Sequence, residues 1–102
     1  SDGRSRTNVA PQALFLMNSQ FVVDRSRGFA KRLLANSDST DSDRVRLAYE
    51  MALGRQPDNT ELDSALTYVA GLQQRLGETD PTAAWSSFCH VLVAANEFLY
   101  LE

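Results

Sequence analysis

The sequence predicts an all-α fold, a compact orthogonal bundle of about five helices. Three observations lead there. The first is a helix stop followed at once by a helix start, in Leu53-Gly54-Arg55-Gln56-Pro57-Asp58-Asn59-Thr60-Glu61. Gly54 can take the left-handed conformation that ends a helix, and Pro57 keeps the old helix from continuing. Asp58 can accept from the first free N–H groups of the next helix, while Glu61, three residues on, reaches back to complete a capping box. The second observation is the stretch from Trp85 to Leu101, apolar on most sides, which predicts a central helix around which the others pack. The third is the lack of any strand-period alternation or internal repeat.

Taken in order, residues 1–10 read as a polar N-terminal tail and residues 11–102 as one helical domain. Pro11 suits a first helical turn, and Gln12-Ala13-Leu14-Phe15-Leu16-Met17 is apolar nearly all round, predicting a short buried helix. Asn18-Ser19-Gln20 interrupts it, with Ser19 placed to cap a second helix. There Val22, Phe29, Ala30, Leu33 and Leu34 fall on one side, and Arg25, Arg27 and Arg32 mostly on the other. Gly28 lowers the propensity of this run by roughly 1 kcal/mol and is expected to mark a close approach of another helix.

The stretch from Asn36 to Asp43 is small and polar. Its Asp and Ser spacing invites a calcium-loop reading, but the central Gly and distal Glu of that pattern are absent, so it reads as a surface loop ending in a helix cap. A third helix follows with Val45, Ala48, Tyr49, Ala52 and Leu53 inward. Beyond the Gly54–Pro57 joint, Leu62, Leu66, Val69, Leu72 and Leu76 form the stripe of a fourth. Gly77 is placed to stop it, Asp80 to cap the fifth, and Pro81 to take that helix's first position.

The net charge of -3 over 102 residues argues against a nucleic-acid partner, which would need a basic patch. Arg25, Arg27, Lys31 and Arg32 do cluster, but on a helix with a wide apolar face, where they read as its solvated side. No apolar run approaches the roughly 18 residues that span a bilayer, so direct membrane insertion is not expected. The chain opens Ser1-Asp2-Gly3-Arg4 without an initiator Met and reads as a piece of a longer protein, so missing targeting signals say nothing of the parent. One Cys leaves the redox compartment undecided, and no oligomeric state is assigned.

Catalytic, cofactor and metal sites are not expected. Ser86-Ser87-Phe88-Cys89-His90 approaches the Cys-x-x-Cys-His of covalent haem attachment, but Ser86 stands where the first Cys belongs. Cys89 and His90 therefore read as a small core residue and its neighbour, and zinc would need about four ligands where one Cys and one His are offered. A Ser–His pair would have to be built on His90 alone, and no Gly-x-Ser-x-Gly turn or phosphate-cradling Gly-rich loop exists. Glu50 and Glu97 could face each other, but thirteen acids offer many accidental pairs. The informative polar residues are Asn18, Gly54, Arg55, Pro57, Asp58, Glu61, Asn96 and Glu97, read as a structural motif tying helix ends together. Arg55 is expected to bond helix-end carbonyls or to pair with Glu61 or Glu97, and if buried its loss would strand those partners at considerable cost.

With these residues laid out, the chain resembles the C-terminal part of a planctomycete-specific domain of unknown function. The motifs are Arg6-Thr7-Asn8 leading to Gln12-Ala13-Leu14-Phe15-Leu16-Met17-Asn18, then Leu53-Gly54-Arg55-Gln56-Pro57 with Glu61, and Asn96-Glu97-Phe98-Leu99-Tyr100. They run in the right order over nearly the whole chain, departing at Ala10-Pro11, where the family's proline stands one position earlier. The resemblance implies bacterial origin and a periplasmic or otherwise exported location. It also implies a large parent in which the domain follows a second planctomycete-specific domain and, often, a cytochrome-c-like domain. It supplies no reaction, and any haem it implies lies in another domain.

Two functions remain in view. One is a non-catalytic helical interaction or scaffolding module that docks onto upstream domains of the same parent, with Phe21, Phe98 and Tyr100 as candidate docking residues. The alternative is a share in an enzyme active site, polysaccharide- or redox-related. Arg55, His90 and Glu97 would then contribute to a cleft completed by the upstream region. Convergence of those three side chains on one pocket would favour the second.

Overall fold

The structure is a computed structural model and describes residues 19–76 and 81–99. Among them are four helices and no strand: α1 (Gln20–Leu34), α2 (Asp41–Leu53), α3 (Asn59–Leu76) and α4 (Pro81–Leu99). The described residues are all-helical, as the sequence predicts. The helix expected over Pro11–Met17 lies outside the described residues, as do the polar tail, Asn18, Gly77 and Asp80.

Each described junction is made by local polar chemistry. Ser19 Oγ accepts from the amide of Val22 at 3.1 Å, capping α1. Between α1 and α2 the Asp38 amide donates to Asn36 Oδ1 at 3.0 Å, forming a turn. Thr40 and Asp43 then close a reciprocal capping box: the Asp43 amide donates to Thr40 Oγ1 at 3.1 Å and the Thr40 amide to Asp43 Oδ2 at 3.2 Å. Gly54 ends α2 at φ 71°, in the left-handed region, and its amide donates to the Glu50 carbonyl at 3.0 Å. At the start of α3 the Glu61 amide donates to Asp58 Oδ1 at 2.7 Å and the Asp58 amide to Glu61 Oε1 at 2.9 Å, the box expected from the sequence.

One joint was not legible beforehand. Arg44, with only 15% of its side chain exposed, crosses from α2 to the end of α1. Its Nε donates to the Leu33 carbonyl at 3.2 Å, Nη2 to the Asn36 carbonyl at 3.4 Å and Nη1 to Asp41 Oδ1 at 3.2 Å. One guanidinium thus satisfies the Leu33 carbonyl in the last turn of α1 and joins the Ser39 amide on the Asn36 carbonyl.

The core forms where α4 meets α1, α2 and α3, all three of which it touches. Trp85 and Cys89 are fully buried there, with Phe88 and Leu92 nearly so, as the apolar length of this segment predicts. Phe88 stands at the centre of an aromatic group. Trp85 meets it edge-on at 5.9 Å between centroids, and Tyr49 and Tyr68 lie tilted at 6.5 and 6.4 Å. A smaller cluster joins Val22 of α1 to Val93 and Ala94 of α4, with Phe29 against it.

Two expectations change, and one buried polar residue is added. Gly28 marks no close approach: it is exposed, and a Cβ there would meet nothing within 4 Å. Leu76 is 49% exposed at the last residue of α3, beyond the part the core covers, while Ala65 is buried in the same stripe. Ser26, between Arg25 and Arg27 of α1, is buried, its hydroxyl donating to the Val22 carbonyl at 2.6 Å.

Candidate functional site

Of the expected polar motif, Gly54, Arg55, Pro57, Asp58 and Glu61 lie at the α2–α3 corner. Arg55 reaches across the turn to Glu61 in a bidentate pair, Nη1 to Oε1 and Nη2 to Oε2, each 2.9 Å, and Nη1 also donates to the Gln56 carbonyl at 3.1 Å. Of the two partners considered for Arg55, Glu61 is the one the structure supplies. The guanidinium also lies over the ring of Tyr49, 5.5 Å from its centroid. Nearby, Gln56 Nε2 donates to Glu50 Oε2 at 2.9 Å, so Glu50 also serves the turn.

Arg55 is not buried: 53% of its side chain is exposed, against 31% for Glu61. The large penalty attached to a buried guanidinium therefore does not apply. The electrostatics still reflect the pairing. Hydrogen bonding from Arg55, followed by the Asp58 amide, lowers the Glu61 carboxyl from 4.5 to about 2. Arg55 is raised in turn, chiefly by the bond to Glu61. Tyr49 is raised as well, first by burial and then by the Glu61 charge.

Beside this corner α2, α3 and α4 leave a cavity of about 280 Å³. Tyr49, Tyr68 and Phe88 form its aromatic wall and Val91 and Leu92 its aliphatic one, with Thr60, Glu61 and Ser64 on the polar side. Tyr68 is 41% and Val91 43% exposed, so the apolar lining continues onto the surface. This concavity was not anticipated. Only Tyr49, Phe88 and Leu92 of its lining belong to the expected core stripes, and the sequence carries no sign that α3 and α4 fail to close over one another.

Cys89 and His90 separate by one step along α4. Cys89 is a free, buried thiol, and burial pushes it up to about 12. His90 is half-buried and lines a second, smaller cavity with Ser26, Arg27, Ser86 and Ser87. Ser86 Oγ and Trp85 Nε1 are buried without a hydrogen-bonding partner in the protein. No group of three or more His, Cys, Asp or Glu side chains is placed to hold a metal ion among the described residues. The two cavities share no residue and Arg55 lines neither, so Arg55 and His90 are not brought to one cleft. Asn96 is half-buried near the end of α4, and the side chain of Glu97 lies outside the described part.

Comparison with known proteins adds one finding. The family model PSD1, described as a protein of unknown function (DUF1553), matches residues 1–69. No curated protein and no solved structure matches the chain.

Proposed function

Because the chain belongs to the PSD1 family of proteins of unknown function (DUF1553), we propose that it is a helical interaction module, non-catalytic in itself, that docks onto upstream domains of the same multidomain parent. The observation that carries this reading is the apolar cavity beside the α2–α3 corner, with Tyr68 and Val91 exposed at its margin. A concavity with aromatic and aliphatic walls and a few polar groups on one side suits an apolar side chain of a partner segment. Phe21, the described member of the docking residues expected from sequence, is 56% exposed, but Arg25 covers its ring at 5.5 Å, which favours the cavity as the main contact. The Arg55–Glu61 corner holds α2 against α3 and so sets the shape of that cavity.

In this proposal residues 11–102 form an orthogonal bundle of about five helices, Pro11–Met17 supplying the one beyond the four described. The exported, periplasmic setting and the planctomycete context, with a second such domain and a cytochrome-c-like domain upstream, rest on the motif resemblance. Nucleic acid is not a partner in this reading, given the net charge of -3, and no described helix is long and apolar enough to cross a membrane.

The test is calorimetry or co-elution of this chain with the upstream part of its parent. Association is expected, and Val91→Asp should weaken it roughly tenfold or more by placing a carboxylate in an apolar contact. No association at tens of micromolar, together with turnover of a polysaccharide or ester substrate by this chain, would replace the module with an enzyme.

A further inference from the structure

The cavity between α1 and α4 differs in kind from the apolar one. It measures about 160 Å³ and, among the described residues, is lined by Val23, Ser26 and Arg27 from α1 and by Ser86, Ser87 and His90 from α4. Among the described residues no carboxylate lines it. It also opens against the most basic element of the chain: α1 carries Arg25, Arg27, Lys31 and Arg32 against one acid, Asp24, although the chain as a whole is at -3. Arg25 is taken up by the rings of Phe21 and Phe29, 5.5 and 5.4 Å from their centroids. Arg27 is therefore the cation at the cavity itself. Its ion pair with Asp24 Oδ1 is long at 3.9 Å with both side chains 63% exposed, a contact that leaves the guanidinium able to turn.

We propose that this crevice binds a tetrahedral oxyanion, a phosphate or sulfate group, between the Arg27 guanidinium and the Ser87 hydroxyl. Arg27 supplies charge and forked donors, the pattern that suits such a group. Ser87, half-buried, offers a hydroxyl from the α4 wall. Ser86 adds a reserve donor. Its hydroxyl is shielded in the present rotamer and has no protein partner, so a turn about χ1 toward the cavity sacrifices no hydrogen bond. Ser26 is spoken for by the Val22 carbonyl and acts as the floor.

Amide NMR spectra of the 102-residue chain would test this by titration with sodium phosphate, sodium sulfate and a hexose phosphate, each against sodium chloride at equal ionic strength. The expected result is saturation in the millimolar range, with shifts concentrated at Arg27, Ser87 and His90 and absent with chloride. Arg27→Gln and Ser87→Ala should each weaken binding roughly tenfold, the loss expected when one charge-assisted hydrogen bond is removed. Arg27 is exposed, so Arg27→Gln should leave the rest of the spectrum in place and separate lost binding from lost folding. Tighter binding of the hexose phosphate would identify an esterified group as the ligand; equal or weaker binding would identify the free ion. Shifts that never saturate, that spread evenly over Arg25, Lys31 and Arg32, or that survive Arg27→Gln would overturn the site.

Discussion

Arg55 and Glu61 face each other across the α2–α3 turn with two parallel hydrogen bonds of 2.9 Å, and the same Glu61 carboxylate closes the capping box with Asp58. One carboxylate therefore holds the preceding turn and starts the following helix. The consequence can be read from its titration.

Glu61 is lowered in the folded chain from 4.5 to about 2, so it contributes stability that is present above pH 4.5 and lost as pH falls toward 2. Acid titration of the unfolding midpoint should show this loss, and Glu61→Gln should remove that part of the pH dependence. Because the pair is on the surface, Arg55→Ala should lower the midpoint only slightly, and less in high salt. A large, salt-independent loss in Arg55→Ala would contradict the exposed geometry.

Gly54 and Gly28 should respond to substitution with opposite signs. Gly54 sits at φ 71°, where a Cβ is strained, so Gly54→Ala should destabilise by about 1 kcal/mol. Gly28 is exposed inside α1 with open space around it, so Gly28→Ala should stabilise by roughly 0.5–1 kcal/mol. Urea midpoints of the two variants check both; a destabilised Gly28→Ala would mean that α1 has a neighbour there.

Arg44 joins α1 to α2 through two carbonyls and Asp41. Arg44→Met keeps much of the aliphatic stem and removes the donors, so it should cost about 1.5–3 kcal/mol, the range for hydrogen bonds made by a charged group. The same denaturation series reads this out, and a loss below that of Arg55→Ala would reverse the ranking of the two joints.

Cys89 should resist thiol reagents at neutral pH, because its burial holds the thiol up to about 12 from an ordinary 9.0. Labelling should proceed only as fast as the fold opens. The raised value also means that stability is intact below pH 9.0 and declines as pH rises from there toward 12. Rapid labelling in native buffer would place the thiol outside the core.

The sequence by itself determined the helices and their ends. Gly54, Pro57, Asp58 and Glu61 act within a few residues of one another, and left-handed φ, a missing N–H and a capping carboxylate are local chemistry. Ser19 and the inward stripes of α1 and α2 were legible for the same reason, since a helical period places them without reference to any partner. Only the tertiary structure decided where helices meet. Gly28 carries no mark of whether another backbone lies near it, and Arg44 gives no hint that carbonyls eight and eleven residues back will come within reach. The two cavities belong to that second kind. Each is made from helices packed against α4 at angles that no single helix encodes, so stripes read as core on α3 and α4 leave Tyr68 and Val91 uncovered, and a basic α1 face meets serines more than fifty residues away.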